Sequence, residues 1–554
     1  MSAPAPALTG NRPSARWRPV HSRLALTALT AACLFPFAGK AFHMDDPLFV
    51  WAAQQIAKHP LDPYGFSVHW YETPMRMSEV TMNPPGASYY MAAAAWVAGW
   101  SETALHFAFF LPALAAALGT YSVARRFTQR PLLAAAATVL TPAFLVSSSN
   151  VMCDTPMLAL WVLALMAWLA AYDRGRPLLL FCASITIALC ALTKYFGIAA
   201  IPLLAVYSIA RSRRASPQLL FLGIPVLILM LYEQGGRELY GHGLLSEAMH
   251  YGKAHPFTLA GVAAKTLTGL SFAGGCALPA LAFIPLLWSR RGLLWGAVLA
   301  GAAALWLGTR EETQSFLQLG PFISGGISLT ALAVSDFRFR KDADSAFLGM
   351  WVAGTLAFSA YVNWTVNARS LLPLVPAAGI LLARRIDRRG PFGTGAALAL
   401  AGAMALWVCG ADYRLANSAR EAAQYFASRS GANRSNLSFE GHWGFQYYMQ
   451  RAGFGPVSLD SYRAEPGNEI VLPENNTNVN DPAPELVASQ TTVDFETNVG
   501  IATAALDAGF YSDLYGPMPF AFGRVPPEQY TVVLLRGSGP LREEDSGQEK
   551  TPRR

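Results

Sequence analysis

Charge is scarce in this chain: 14% of its 554 side chains are Asp, Glu, Lys or Arg, against 53% apolar. That balance fits a polytopic membrane protein with room left for a soluble portion. Cysteine is sparse as well, with six, at 33, 153, 182, 190, 276 and 409, each within or beside an apolar segment and none in metal-ligand spacing. None follows residue 409, so the C-terminal portion folds without disulfides. There is no Walker loop, dinucleotide fingerprint, His-Glu-x-x-His or Cys-x-x-Cys, so nothing points to a nucleotide site or a zincin. Beyond about residue 410 no apolar run approaches the length needed to cross a roughly 30 Å hydrocarbon core.

Before residue 410 such runs recur, and they predict thirteen spans between residues 24 and 410. The short Arg-rich turns between them alternate in charge, with 21 Lys and Arg on one side against 8 on the other. By the positive-inside rule the N-terminus is cytoplasmic, and an odd number of spans carries the C-terminal portion across the membrane. The net charge of +7 divides into −6 for residues 410–554 and +13 for the rest. The basic excess is therefore topological, and no nucleic-acid partner is implied. A cleaved signal peptide is the competing reading of residues 1–41, with a basic start, an apolar centre and small residues at 39–41. Cleavage there would leave an acidic pair at a free chain end.

That pair, Asp45-Asp46, lies in His43-Met44-Asp45-Asp46-Pro47, directly after the first apolar run. Two carboxylates where a chain leaves the bilayer are costly beside hydrocarbon and usually face a water-filled cavity. The competing reading is a helix N-cap ahead of Pro47, which needs only one of the two acids. The other ionisable groups at the outer ends of the spans are Asp154, Lys194 and Arg369. Asp154 reads either as a cavity acid or as an N-cap with Pro156 in its first turn, and Lys194 either as a ligand cation or as a snorkelling lysine at a hairpin tip. Arg369 opens a helix, where the dipole disfavours a cation, so a bound phosphate would offset that cost. Tyr195, next to Lys194, and Asn83, in the rigid turn Asn83-Pro84-Pro85, are further candidates for the cavity wall. Gly86–Trp100 is too short to cross upright and suits a helix lying in the headgroup layer. Two adjacent carboxylates also suit a divalent cation, although one aspartate pair supplies too few ligands to argue a metal site.

The acidic pair after the first span, the folded first external loop with its Pro84-Pro85 turn, the Thr193-Lys194 hairpin and the Arg369-x-Leu371-Leu372-Pro373 helix start resemble the GT-C glycosyltransferases. Within these the chain is similar to bacterial relatives of protein O-mannosyltransferases and lipid A aminoarabinose transferases. The resemblance covers about residues 20–410. It implies a GT-C-like membrane domain set in a bacterial inner membrane; with the apolar runs and the C-terminal pattern, the expected fold is an α-helical polytopic one of about thirteen transmembrane helices with a small C-terminal α/β extracytoplasmic domain. It also implies transfer of a sugar from a polyprenyl-phosphate carrier to a lipid, protein or glycan acceptor on the periplasmic side. Asp45 would be the general base, Asp46 would stand for the second acid of the family's Asp-Glu pair, and Lys194 and Arg369 would hold the carrier phosphate. The expected organisation is a basic cytoplasmic segment 1–23, a membrane domain 24–410 with an external loop 43–102, an α/β domain 411–536 and a disordered tail 537–554.

In the C-terminal portion, 411–430 reads as a helix, 437–439 and 531–535 as strands, 445–451 as a helix and 473–484 as a loop. Gly441-His442-Trp443-Gly444 either meets a sugar by stacking or makes a packed strand-to-helix turn. Two other function classes remain on the sequence. One is a transporter or flippase of lipid-linked sugars, which would also need phosphate-binding cations. The other is a scaffold whose spans only anchor it.

Overall fold

The computed structural model describes residues 19–541 apart from 72, 252–257, 314, 387–392, 431–435 and 459–461. The expected N-terminal segment up to residue 18 and the expected tail from 542 lie outside them. Among the described residues nine helices are long and apolar enough to cross a membrane, or ten if the pair Pro131–Val139 and Pro142–Ser148, bent by 62°, is one span. The chain is a multi-pass membrane protein with a mainly helical fold.

Four of the thirteen expected spans do not form one long straight helix, and proline explains three of them. Pro142 opens the second half of the bent pair. Pro279 and Pro285 start the short pieces Leu278–Ala282 and Ile284–Leu287, so the run 262–288 is helical without interruption only over Leu259–Cys276. Pro373 sits in a 3-10 turn ahead of Val375–Ile386. The fourth, Pro177–Thr193, is a 17-residue helix.

Where helices meet most closely, side chains are missing by design of the sequence. A Cβ on Gly274 would fall 1.8 Å from the Phe322 carbonyl oxygen, and one on Gly326 would fall 2.1 Å from that of Leu270. Glycine therefore lets Leu259–Cys276 and Phe316–Arg340 touch backbone to backbone, as small residues do between membrane helices.

Between the first two long helices the chain forms the helix Asp46–Lys58, a two-stranded ribbon pairing Ser67–Val68 with Met75–Arg76, and the helix Gly86–Ala98. Trp96 and Val97 point outward from that last helix. The final long helix, Thr394–Ser430, runs 37 residues without a break, about 55 Å at the standard rise. Beyond it a five-stranded sheet has the spatial order Gly455–Pro456, Leu437–Phe439, Glu469–Pro473, Glu528–Leu535, Val487–Phe495. The first three strands are parallel and the last two are added antiparallel. Alternation along Glu528–Leu535 sends Tyr530 and Val532 into the large core shared with the membrane helices, and Val533 and Leu535 into a small core with Ile470 and Leu472. Tyr530 packs on Phe426 of the long helix and on Phe445 of Trp443–Arg451. The sheet is thus seated on the end of the last membrane helix.

Candidate active site

The turn after the first span is fixed atom by atom. Asp46 is fully buried, and its two carboxylate oxygens accept from the backbone N–H of His43 at 2.8 Å and of Val151 at 2.9 Å. Met44, between them, is held at φ +47°, a left-handed conformation that a side chain other than glycine adopts at a cost. Neither acid caps a helix: Asp45 stands at the capping position of Asp46–Lys58 and makes no side-chain cap bond. Burial pushes the Asp46 carboxyl up to about 7, against the pull of Lys40 and its N–H donors. Burial also holds His43 down at about 4, so its imidazole is neutral at ordinary pH.

Asp45 behaves differently from its neighbour. It is part-exposed, and its Oδ2 accepts from an Arg369 guanidinium nitrogen at 2.9 Å. Arg369 sits on the short helix Ala368–Leu371, which Asn367 caps by accepting the Ser370 N–H at 2.8 Å. The guanidinium lies over the Tyr511 ring, 5.5 Å from its centre, and also feels the charge of Asp154. Asp154 is the first helical residue of Asp154–Arg174, with Cys153 at the capping position, and it pairs with Lys194 at 2.5 Å. Lys194 is the extended residue between the helix Pro177–Thr193 and the turn Tyr195–Ala199, as its hairpin position implied. Asp45 with Arg369 and Asp154 with Lys194 therefore form two carboxylate–cation pairs.

Lys194, Tyr195 and Asn83 share the wall of a cavity of about 950 Å³, together with Lys265, Tyr361 and Asp513. Asp45 and Arg369 are not in that wall. A second, apolar cavity of about 730 Å³ is lined by Pro85, Tyr89, Tyr90, Tyr232 and Leu239 among others. Tyr195 faces the first and Tyr232 the second, and their hydroxyls meet at 3.3 Å. The geometry does not suit a metal at the acidic pair. Asp46 gives each carboxylate oxygen to an N–H, Asp45 faces a cation, and among the described residues no three His, Cys, Asp or Glu side chains converge.

Joined to the Asp45–Arg369 pair through Tyr511 is a cluster that sequence reasoning missed. Lys40, counted there as a loop charge, is fully buried in an ion pair with fully buried Asp412 on the last long helix. Lys40 also donates to Asn150, and Asp412 accepts from Tyr511 at 2.9 Å. A single acid closing the apolar stretch Val408-Cys409-Gly410-Ala411 was the available signal for Asp412. The Gly441-His442-Trp443-Gly444 turn packs rather than opens: His442 is buried and stacks on Trp70 at 5.4 Å, and a Cβ on Gly444 would fall 2.1 Å from the Phe42 carbonyl oxygen.

Against known proteins, residues 82–232 match the family model described as dolichyl-phosphate-mannose-protein mannosyltransferase. No curated protein matches the sequence. Among solved structures the chain is similar to the oligosaccharyltransferase of Archaeoglobus fulgidus tethered to an acceptor peptide, at 13% identity over 79% of this chain and 63% of that one, with a TM-score of 0.50. The chain shares the fold of that oligosaccharyltransferase. It spans a little under two thirds of that oligosaccharyltransferase's length. A weaker likeness is to ArnT from Cupriavidus metallidurans bound to undecaprenyl phosphate, at 15% identity over 82% of this chain and 92% of that one, with a TM-score of 0.43. In this fold the acidic pair stands where the first loop helix starts, with Asp45 facing Arg369 at the start of the twelfth expected span.

Proposed function

We propose that the protein is an integral-membrane glycosyltransferase that moves a sugar from a polyprenyl-phosphate carrier to a lipid, glycan or protein acceptor at the periplasmic face of a bacterial cytoplasmic membrane. The observation that carries this reading is the Asp45–Arg369 pair, which sets a part-exposed carboxylate 2.9 Å from a guanidinium whose planar fork suits a phosphate.

The acceptor hydroxyl oxygen attacks the anomeric carbon, and Asp45 takes its proton as general base. The bond from that carbon to the carrier phosphate breaks, and the phosphate leaves with the electron pair. Its growing negative charge is stabilised by Arg369 and, from the cavity wall, by Lys194. Both cations are paired with carboxylates, so a carrier phosphate competes with Asp45 for Arg369 and frees the base as it binds. Asp46 has a different task, which is to hold the turn that aims Asp45. The carrier is the leaving group, so no nucleotide site is needed, and the apolar cavity lined by Tyr89 and Tyr90 offers room for an isoprenoid chain.

Mass spectrometry of lipid A, surface glycan and periplasmic proteins from a deletion strain tests this. One sugar should disappear, and the intact gene, but not Asp45→Asn, should restore it. Equal rescue by Asp45→Asn would remove the general-base assignment and turn attention to transport of a lipid-linked sugar.

A further inference from the structure

The segment between the strands Val487–Phe495 and Glu528–Leu535 returns to the helical portion and binds the backbone beside Arg369. The Ala368 N–H donates to the Phe510 carbonyl at 2.9 Å, and the Asp513 N–H donates to the Val366 carbonyl at 2.9 Å. The Asp513 carboxylate accepts the Val366 N–H at 3.1 Å and pairs with Lys265 at 2.7 Å. Tyr511 is carried between these anchors and is 5% exposed.

Each part of Tyr511 meets a different part of the site. The ring lies under the Arg369 guanidinium at 5.5 Å and meets the edge of His43 at 5.2 Å. The hydroxyl donates to Asp412 at 2.9 Å and accepts from the Asn150 amide at 3.0 Å. Asn150 precedes Val151, whose N–H holds Asp46, and both Asn150 and Asp412 bind Lys40, three residues before His43. One side chain thus joins the cation to the foundation of the turn that bears Asp45.

We propose that Tyr511 is a positioning residue for this site, its ring setting Arg369 and its hydroxyl setting the His43–Asp46 turn, so that the C-terminal portion completes an active site whose charged groups come from the helical portion. The inference rests on reading Arg369 as the carrier-phosphate cation. A cation over an aromatic face in a desolvated site is held strongly enough that losing the ring should weaken phosphate binding about tenfold. Losing only the hydroxyl leaves the cation in place and loosens the turn.

The experiment measures binding of undecaprenyl phosphate to the full-length protein in lipid nanodiscs, together with rescue of the deletion strain. Tyr511→Leu should raise the Kd about tenfold. Tyr511→Phe should bind the carrier as the intact protein does yet restore less of the missing sugar at equal protein level. A purely structural residue would lower the amount of folded protein and leave the Kd of the remainder unchanged, and that result for Tyr511→Leu overturns the proposal. If Tyr511→Leu does not fold, Tyr511→Phe decides alone, and full rescue by it overturns the proposal. An intact protein that does not bind undecaprenyl phosphate fails at the functional reading itself, and the inference falls with it.

Discussion

Two identical neighbours, Asp45 and Asp46, meet opposite fates, and the difference lies in what each oxygen touches. Asp45 keeps a part-exposed carboxylate on Arg369, whereas Asp46 gives both oxygens to backbone donors in a dry turn. Asp45→Asn should therefore lower transfer about 100-fold or more at equal folded-protein level, which a transfer assay on purified protein would read. Arg369→Lys keeps the charge but loses the planar fork, so the carrier should bind less tightly, as titration with undecaprenyl phosphate would show. Asp46 makes a prediction about stability instead. Its carboxyl is raised to about 7 by burial, so the folded state keeps a proton that the unfolded chain releases. Its contribution is complete below the ordinary carboxylate range and is lost as pH rises through about 7. Thermal unfolding of the intact protein should lose more between about pH 4 and about pH 7 than that of Asp46→Asn; parallel slopes would contradict the assignment.

Among the elements, the turn from residue 40 to residue 46 is shaped from outside. The Phe42 N–H donates to the Tyr448 hydroxyl at 2.8 Å, and Gly444 presses on the Phe42 carbonyl. Gly444→Ala should cost about 1–3 kcal/mol by overpacking a contact with rigid backbone, and it should lower activity beyond the loss of folded protein. Comparing specific activity with the unfolding temperature separates the two effects. This dependence was not legible in the sequence, because the glycine lies some four hundred positions from the turn it meets. The long helices were legible, since an apolar window needs no partner to identify it. Asp45 and Arg369 were each visible as costly charges at helix ends, yet their contact joins positions 324 residues apart. Lys40 misled, because a lysine in a short polar turn reads as a solvated loop charge until its buried partner is known. Local hydropathy alone does not fix the count of spans, since proline breaks three of the thirteen expected runs into bent or short pieces.

At the scale of the whole molecule, the membrane helices and the C-terminal portion share a core, and the buried Lys40–Asp412 pair lies where they join. Removing one partner of such a pair strands a charge, so Lys40→Met should cost about 3–5 kcal/mol, while the double change Lys40→Met with Asp412→Leu should recover much of that loss. A double-mutant cycle on thermal unfolding measures it, and simple additivity would contradict a direct pair. The proposed reading is sugar transfer from a polyprenyl phosphate with Asp45 as base. The most direct measurement is transfer of a labelled sugar from a panel of polyprenyl-phosphate donors by the purified full-length protein and by its Asp45→Asn form. The account predicts that the intact protein transfers one of these sugars and releases the polyprenyl phosphate, while Asp45→Asn binds the carrier and transfers almost nothing. Equal transfer by the two forms would contradict it.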